Sequence, residues 1–384
     1  MVIGPKTNED DMDKITIITT SLAEERRLKP LINALDALPE VELGHIAWGH
    51  HQDAQMDIRF LRVASDDILL ENQTNIRLTA RPKFAVTARE ADMKSIFNKA
   101  LAALPSDLII LMGESPAAFG AALAAVHDHN LPLAHLQAGE SEYNLLGPSY
   151  GAGITRLSRL HFTSCKSHED RLTASGVHPG SIFTVGSLGL SKLKIQGPNP
   201  EWGHDFILVS MAPEPDAGSA NAATAQAMAR ALESPRFKTL DWVFHLPEPS
   251  GLDNLIHSPL AELAKNHPGK SHFIASLDSR EGLSALAHCR TLLGNARQGF
   301  EEGSVLKTPM VNVGNLLNDL AMPANAVPAP GESKAIAQAL DMALSPGFSR
   351  SLATMDSPFF QEKTVEHIKD VLMTFCAQMR ARAI

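Results

Sequence analysis

Between Asp107 and Leu190 the chain alternates apolar runs too short for helices with stretches of helical period. "DLIILM" leads into the Ala-rich Pro116–His129, "LPLAHL" follows, and "LHF" and "SIFTVG" flank one more helical stretch. The order reads strand, helix, strand, loop, helix, strand, the signature of a parallel sheet covered by helices. Two of the strand ends carry a glycine followed by an acid, Gly113-Glu114 and Gly139-Glu140. In an open parallel sheet the carboxyl ends of the strands border the ligand crevice, so both carboxylates are expected to point there.

The alternation runs through the rest of the chain. "KITIITT" (Lys14–Thr20) precedes a helical stretch, Ala23–Leu38, and "VELGHIAWG" is the next strand. Residues 50–86 show no clear pattern beyond the short "IRFLRV", and Arg89–Leu104 has helical amphipathicity. After Leu190, "SKLKIQGPNPEWGHD" has linker composition. Strands "DFILVSMA", "LDWVFHL", "HFIASL", "TLLGNA" and "PMVNVG" then alternate with helices, Pro323–Gly331 reads as a loop, and Gln361–Ala383 as a long amphipathic helix. The expected fold is α/β, with two doubly wound Rossmann-like domains facing a cleft, an arrangement of GT-B type. The domains are placed at 1–190 and 205–360, the latter nucleotide-binding, with a linker at 191–204 and a helix at 361–384 crossing back to the first domain.

With 384 residues, the chain exceeds what one compact core holds. A net charge of −9, with acids and bases interspersed, argues against a nucleic-acid or anionic-membrane partner. Cys165, Cys289 and Cys376 are odd in number and widely spaced, as in reduced cytoplasmic proteins. The acidic N-terminus lacks the form of a secretory signal, and no apolar run is long enough to span a bilayer. A cytoplasmic protein without membrane insertion is expected.

Few side chains stand in patterns that carry chemistry. Glu114 and Glu140 form a candidate acid/base pair, because two carboxylates in one cleft tend to separate their titrations. Asn295-Ala296-Arg297-Gln298-Gly299 opens a helix after a strand, where backbone N–H groups suit phosphate and Arg297 adds a fork for two oxygens. Glu301 and Glu302 fall in that helix's first turn, where acids also favour the dipole. "GPSYGAG" (147–153) lacks the Lys and Ser/Thr of a phosphate loop and reads as a flexible loop. His45, His50 and His51 lack ligand spacing for a metal, and His245 ends a strand where it could serve as a base. No metal and no cofactor are expected.

At these residues the chain resembles the UDP-N-acetylglucosamine 2-epimerases, closest to the hydrolysing branch that feeds sialic-acid-type sugar synthesis. The resemblance rests on Gly113-Glu114, "HLQAGE" (135–140), "GPSYGAGITRLSRLHF" (147–162), "IFTVGSLGLS" and "GNARQGFEEGSVLKTPMVNVG" (294–314). It implies elimination of the nucleotide from an activated amino sugar and addition of water, a nucleotide-sugar ligand, a homodimer, and a ribose contact at Glu302. Several positions depart from the family pattern. Leu22 stands in place of an arginine, Gly147–Ala152 in place of "DESIRH", Ala212 in place of a histidine, and Ala296, Arg297 and Gln298 in place of phosphate-binding serines. Three activities remain open on this reading: a divergent epimerase, a non-catalytic nucleotide-sugar-binding or scaffolding relative, and a GT-B glycosyltransferase.

Overall fold

The computed structural model describes residues 12–48, 56–60, 90–140, 147–191, 193, 195–202, 205–214, 217–246, 253–317 and 320–383. His50, His51 and most of the stretch 50–86 lie outside them. The chain divides into two compact units, one made of residues 1–140, 146–191 and 361–384, the other of 141–145 and 192–360.

In chain order the first unit contains β1 (Asp13–Thr19), α1 (Leu22–Asp36), β2 (Val41–Trp48), β3 (Met56–Phe60), α2 (Glu90–Ala102), β4 (Leu108–Met112), α3 (Pro116–Leu123), β5 (Leu133–Leu136), α4 (Gly147–Leu157), β6 (Leu160–Thr163), α5 (Lys166–Ala174) and β7 (Ile182–Thr184). Among the described residues its sheet runs β3-β2-β1-β4-β5-β6-β7. All pairs are parallel except β2 with β3. The period of two sorts β4 cleanly. Leu108, Ile110 and Met112 enter one core with α1, and Ile109 and Leu111 enter the other with α2 and α3.

The Ala-rich helix behaves as its composition suggests. Gly120 of α3 lies so close to α2 that a β-carbon there would stand 2.6 Å from Cβ of Met93. Directly after α3, Ala124–Asp128 widens into a π-helical turn before β5.

The second unit contains β8 (Phe206–Ser210), α6 (Ala220–Leu232), β9 (Asp241–His245), α7 (Asp253–Asn266), β10 (Ser271–Phe273), α8 (Arg280–His288), β11 (Thr291–Gly294), α9 (Glu301–Leu306), β12 (Met310–Val313), β13 (Ala326–Ala329), α10 (Ser333–Ala343) and α11 (Pro346–Leu352). Its sheet, in the order β10-β9-β8-β11-β12-β13, is parallel throughout. The last helix, α12 (Thr364–Ala383), belongs to the first unit. Val365, Ile368, Leu372 and Cys376 join the core under α1, Thr364 Oγ1 donates to the Val185 carbonyl at 2.7 Å, and Arg380 pairs with the buried Asp13.

Two expectations from sequence change. "GPSYGAG" is not a loop, because Gly147–Leu157 is α4. Its Tyr150 packs on Phe119 of α3 with ring centroids 5.5 Å apart, and Ile154 is fully buried. Pro323–Gly331 contains the strand β13, which tolerates Pro328 because it lies at the sheet edge. Among the described residues no helix is long and apolar enough to cross a membrane.

Candidate active site

Each sheet reverses its strand order once, between β1 and β4 in the first unit and between β8 and β11 in the second. At such points the connections leave in opposite directions and open a crevice at the carboxyl ends of the strands.

In the first unit, β1 runs into Thr20 and Ser21, which caps α1 by accepting the Glu24 N–H at 3.2 Å. The Glu24 carboxylate turns back onto Thr20, accepting its backbone N–H at 2.6 Å and its hydroxyl at 2.8 Å. Thr20's only hydroxyl proton is thereby used, so the Ser115 hydroxyl, 3.0 Å away, donates to Thr20. Ser115 Oγ also accepts the Ala118 N–H and caps α3. These contacts join the ends of β1 and β4 and fix the start of the Gly113-Glu114 turn.

Gly113 and Gly139 both have positive φ, 80° and 76°, which explains glycine at each strand exit. Glu114 is 4% exposed and lies against α4. It occupies the place of a side chain at Gly151, since every atom of its carboxyl group lies within 2.5 Å of where a β-carbon would stand. Glu140, also 4% exposed, lies against the start of α5. Its Oε1 accepts the Ser164 hydroxyl at 2.5 Å, and Nδ1 of the fully buried His168 stands 3.0 Å from Ser164 Oγ and 3.7 Å from Glu140 Oε1. Arg171 donates to the Gly139 carbonyl at 2.9 Å. Below them His135 of β5 donates from Nε2 to the Gly113 carbonyl at 3.0 Å. Burial pushes the His135 ring down to about 4, so it is neutral and serves as a strut.

In the second unit β8 and β11 meet so closely that a β-carbon on Gly294 (φ 137°) would overlap the Ser210 carbonyl. Asn295 secures this junction: Oδ1 accepts the Ala212 N–H at 2.7 Å and Nδ2 donates to the Ala212 carbonyl at 2.9 Å. Its amide is used within the fold, and so is the space at Gly299, which packs under Met310 and Leu292. Arg297 is ion-paired with the buried Glu301, and Gln298 donates to Asp278 at 2.8 Å. Glu302 is buried in the first turn of α9, a helix of six residues. Beyond the strand ends, the Glu214 carboxylate accepts the Asn315 N–H at 2.5 Å, while Asn221 holds the Glu214 backbone through both of its amide atoms. His245 is hydrogen-bonded to Ser210 at 2.9 Å, and burial lowers its pKa.

The fold therefore puts Glu114 and Glu140 at the ends of adjacent strands β4 and β5, and gathers Asn295 to Glu302 at the end of β11. Sequence reasoning did not single out Glu24, Ser164, His168 or Glu214. For Ser164 and His168 the available signal was their spacing of four residues, one helical turn, directly after β6.

Residues 33–373 match the profile of a family described as UDP-N-acetylglucosamine 2-epimerase. The polysialic acid biosynthesis protein P7 of Escherichia coli is 23% identical over 375 residues, 95% of this chain and 94% of that protein. The GDP/UDP-N,N'-diacetylbacillosamine 2-epimerase (hydrolyzing) of Campylobacter jejuni is 22% identical over 319 residues, 79% of this chain and 80% of that enzyme. Among solved structures, the S. aureus MnaA–UDP co-structure is similar with a TM-score of 0.74 at 14% identity, covering 95% of this chain and 97% of that one. The fold is thus that of the GT-B-like epimerases. With residues 33 to 373 of 384 inside the profile, the chain belongs to the UDP-N-acetylglucosamine 2-epimerase family.

Proposed function

We propose that the chain is a hydrolysing nucleotide-sugar 2-epimerase acting on a UDP-linked N-acetylated amino sugar. The observation that carries this reading is the pair of buried carboxylates, Glu114 and Glu140, following adjacent strands beside the switch point of a chain in this family. The ion-paired Arg297 and the buried Glu302 are assigned to the diphosphate and the ribose, with Gln298 beside them; Asn295 and Gly299 shape the turn that presents them.

Glu140, whose Oε1 accepts a hydroxyl proton from Ser164, takes the role of base. It removes the C2 proton while the C1–O bond breaks, the electron pair leaving with the diphosphate oxygen. Water then adds across the C1=C2 bond, its hydroxyl to C1, and Glu114 delivers a proton to the opposite face of C2. The remaining water proton restores Glu114, and the abstracted proton passes to solvent. The products are UDP and the sugar inverted at C2.

Incubation with UDP-N-acetylglucosamine in D2O is expected to release UDP and N-acetylmannosamine carrying deuterium at C2. Absence of nucleotide release from every UDP-, GDP- and CMP-activated amino sugar tried would sink the proposal. Consumption that requires an acceptor sugar would assign a glycosyltransferase instead.

A further inference from the structure

We infer that Ser164 and His168 are positioning residues, a directed chain of donors that holds Oε1 of the base Glu140. The inference rests on the role proposed for Glu140 and adds two residues to it. A serine hydroxyl carries one proton. Ser164 donates it to Glu140 Oε1, 2.5 Å from Oγ. The 3.0 Å contact between Ser164 Oγ and His168 Nδ1 is then a hydrogen bond only if Nδ1 carries a proton and donates. The chain therefore runs Nδ1–H to Oγ–H to Oε1, and it selects the Nδ1–H form of His168.

The arrangement is built into the fold. His168 is fully buried, Ser164 and Glu140 nearly so, and all three stand where the exit of β5 meets the turn from β6 into α5. The His168 carbonyl lies against Gly139 Cα so closely that a β-carbon there would stand 2.6 Å from it. Arg171, one turn further along α5, holds the Gly139 carbonyl. Two residues of one helix thus fix the backbone before Glu140, while Ser164 fixes its side chain. Two buried donors in sequence also supply in advance the polarity that an ionised carboxylate loses on leaving water.

The test combines a spectroscopic and a kinetic readout on the full chain. Imidazole 15N chemical shifts near neutral pH should show His168 in the Nδ1–H form in the wild type and in Ser164→Thr, and a shift towards Nε2–H in Ser164→Ala. With UDP-N-acetylglucosamine as substrate, Ser164→Ala should lower kcat about 100-fold, the effect of a misplaced catalytic group. KM should stay within about threefold, and Ser164→Thr should recover most of the rate. His168→Asn, which keeps a donor near the Nδ1 position, should retain more activity than His168→Ala. An Nε2–H form in the wild type overturns the inference, as does wild-type kcat in Ser164→Ala when Glu140→Gln is inactive. Wild-type kcat in Glu140→Gln overturns the base assignment itself, and the inference with it.

Discussion

Replacing Gly151 by alanine sets helix propensity against the packing of Glu114. In a helix interior this change ordinarily stabilises by about 0.5–1 kcal/mol, because glycine loses more backbone freedom on folding. In α4 the new methyl group would fall on the Glu114 carboxyl, all of whose atoms lie within 2.5 Å of its position. Glu114 is buried, so it moves only by displacing its neighbours. Overpacking of this kind costs about 1–3 kcal/mol. Set against the propensity gain, Gly151→Ala is expected to destabilise α4 by about 1–2 kcal/mol. In a Glu114→Ala background the obstruction is gone and the same change should stabilise, giving a coupling of about 2 kcal/mol. Native-state hydrogen exchange of the α4 amides, measured on both single variants, the double variant and the wild type, reads this coupling directly. A coupling below about 0.5 kcal/mol, the range of independent sites, would refute the contact on which the placement of Glu114 rests.

Other expectations concern proton binding, the second unit and the nucleotide. His135 is held near 4 when folded, against about 6.5 when unfolded, so the unfolded chain takes up the proton first as the pH falls. Stability should therefore decline between about pH 6.5 and 4, by about 3 kcal/mol in total, and be insensitive to this group above 6.5. Urea midpoints across that range should vary less in His135→Gln, which keeps a donor for Gly113 without the titration; equal slopes would contradict the assignment. Asn295→Ala strips both partners from the Ala212 backbone and should destabilise the second unit by about 2–4 kcal/mol. Asn295→Asp, which still accepts the Ala212 N–H, should lose less in the same urea titration. Arg297→Gln should weaken UDP binding about tenfold or more in calorimetry, the scale of one charged hydrogen bond. An unchanged Kd would remove Arg297 from the nucleotide site.

The parallel sheets were legible because their strands are buried on both faces and carry unbroken apolar runs between helices of clear period. The glycines ending β4 and β5 were legible as turns, and their positive φ values supply the reason. By contrast, α4 was hidden, since a proline and three glycines in seven residues lower helix propensity, and packing on Phe119 and Glu114 with burial of Ile154 compensates. Pro328 concealed β13 in the same way, because a sequence does not reveal that a strand will lie at an edge. In the candidate site, a polar side chain after a strand reads alike whether it binds a ligand or joins two loops. Asn295 joins two loops, and its partner Ala212 is 83 residues away. Ser164 likewise acquires meaning only beside Glu140, 24 residues earlier.

The membership of α12 in the first unit has a consequence for how the protein is made. Leu28, Leu31 and Leu35 of α1 share a core with Ile368 and Leu372, yet residues 192–360 are synthesised in between. At typical elongation rates that interval lasts about 10–30 s. For the whole of that interval α1 carries an apolar surface that α12 has yet to cover. The order of synthesis thus leaves the core of the first unit incomplete until α12 has been made, after all of residues 192–360.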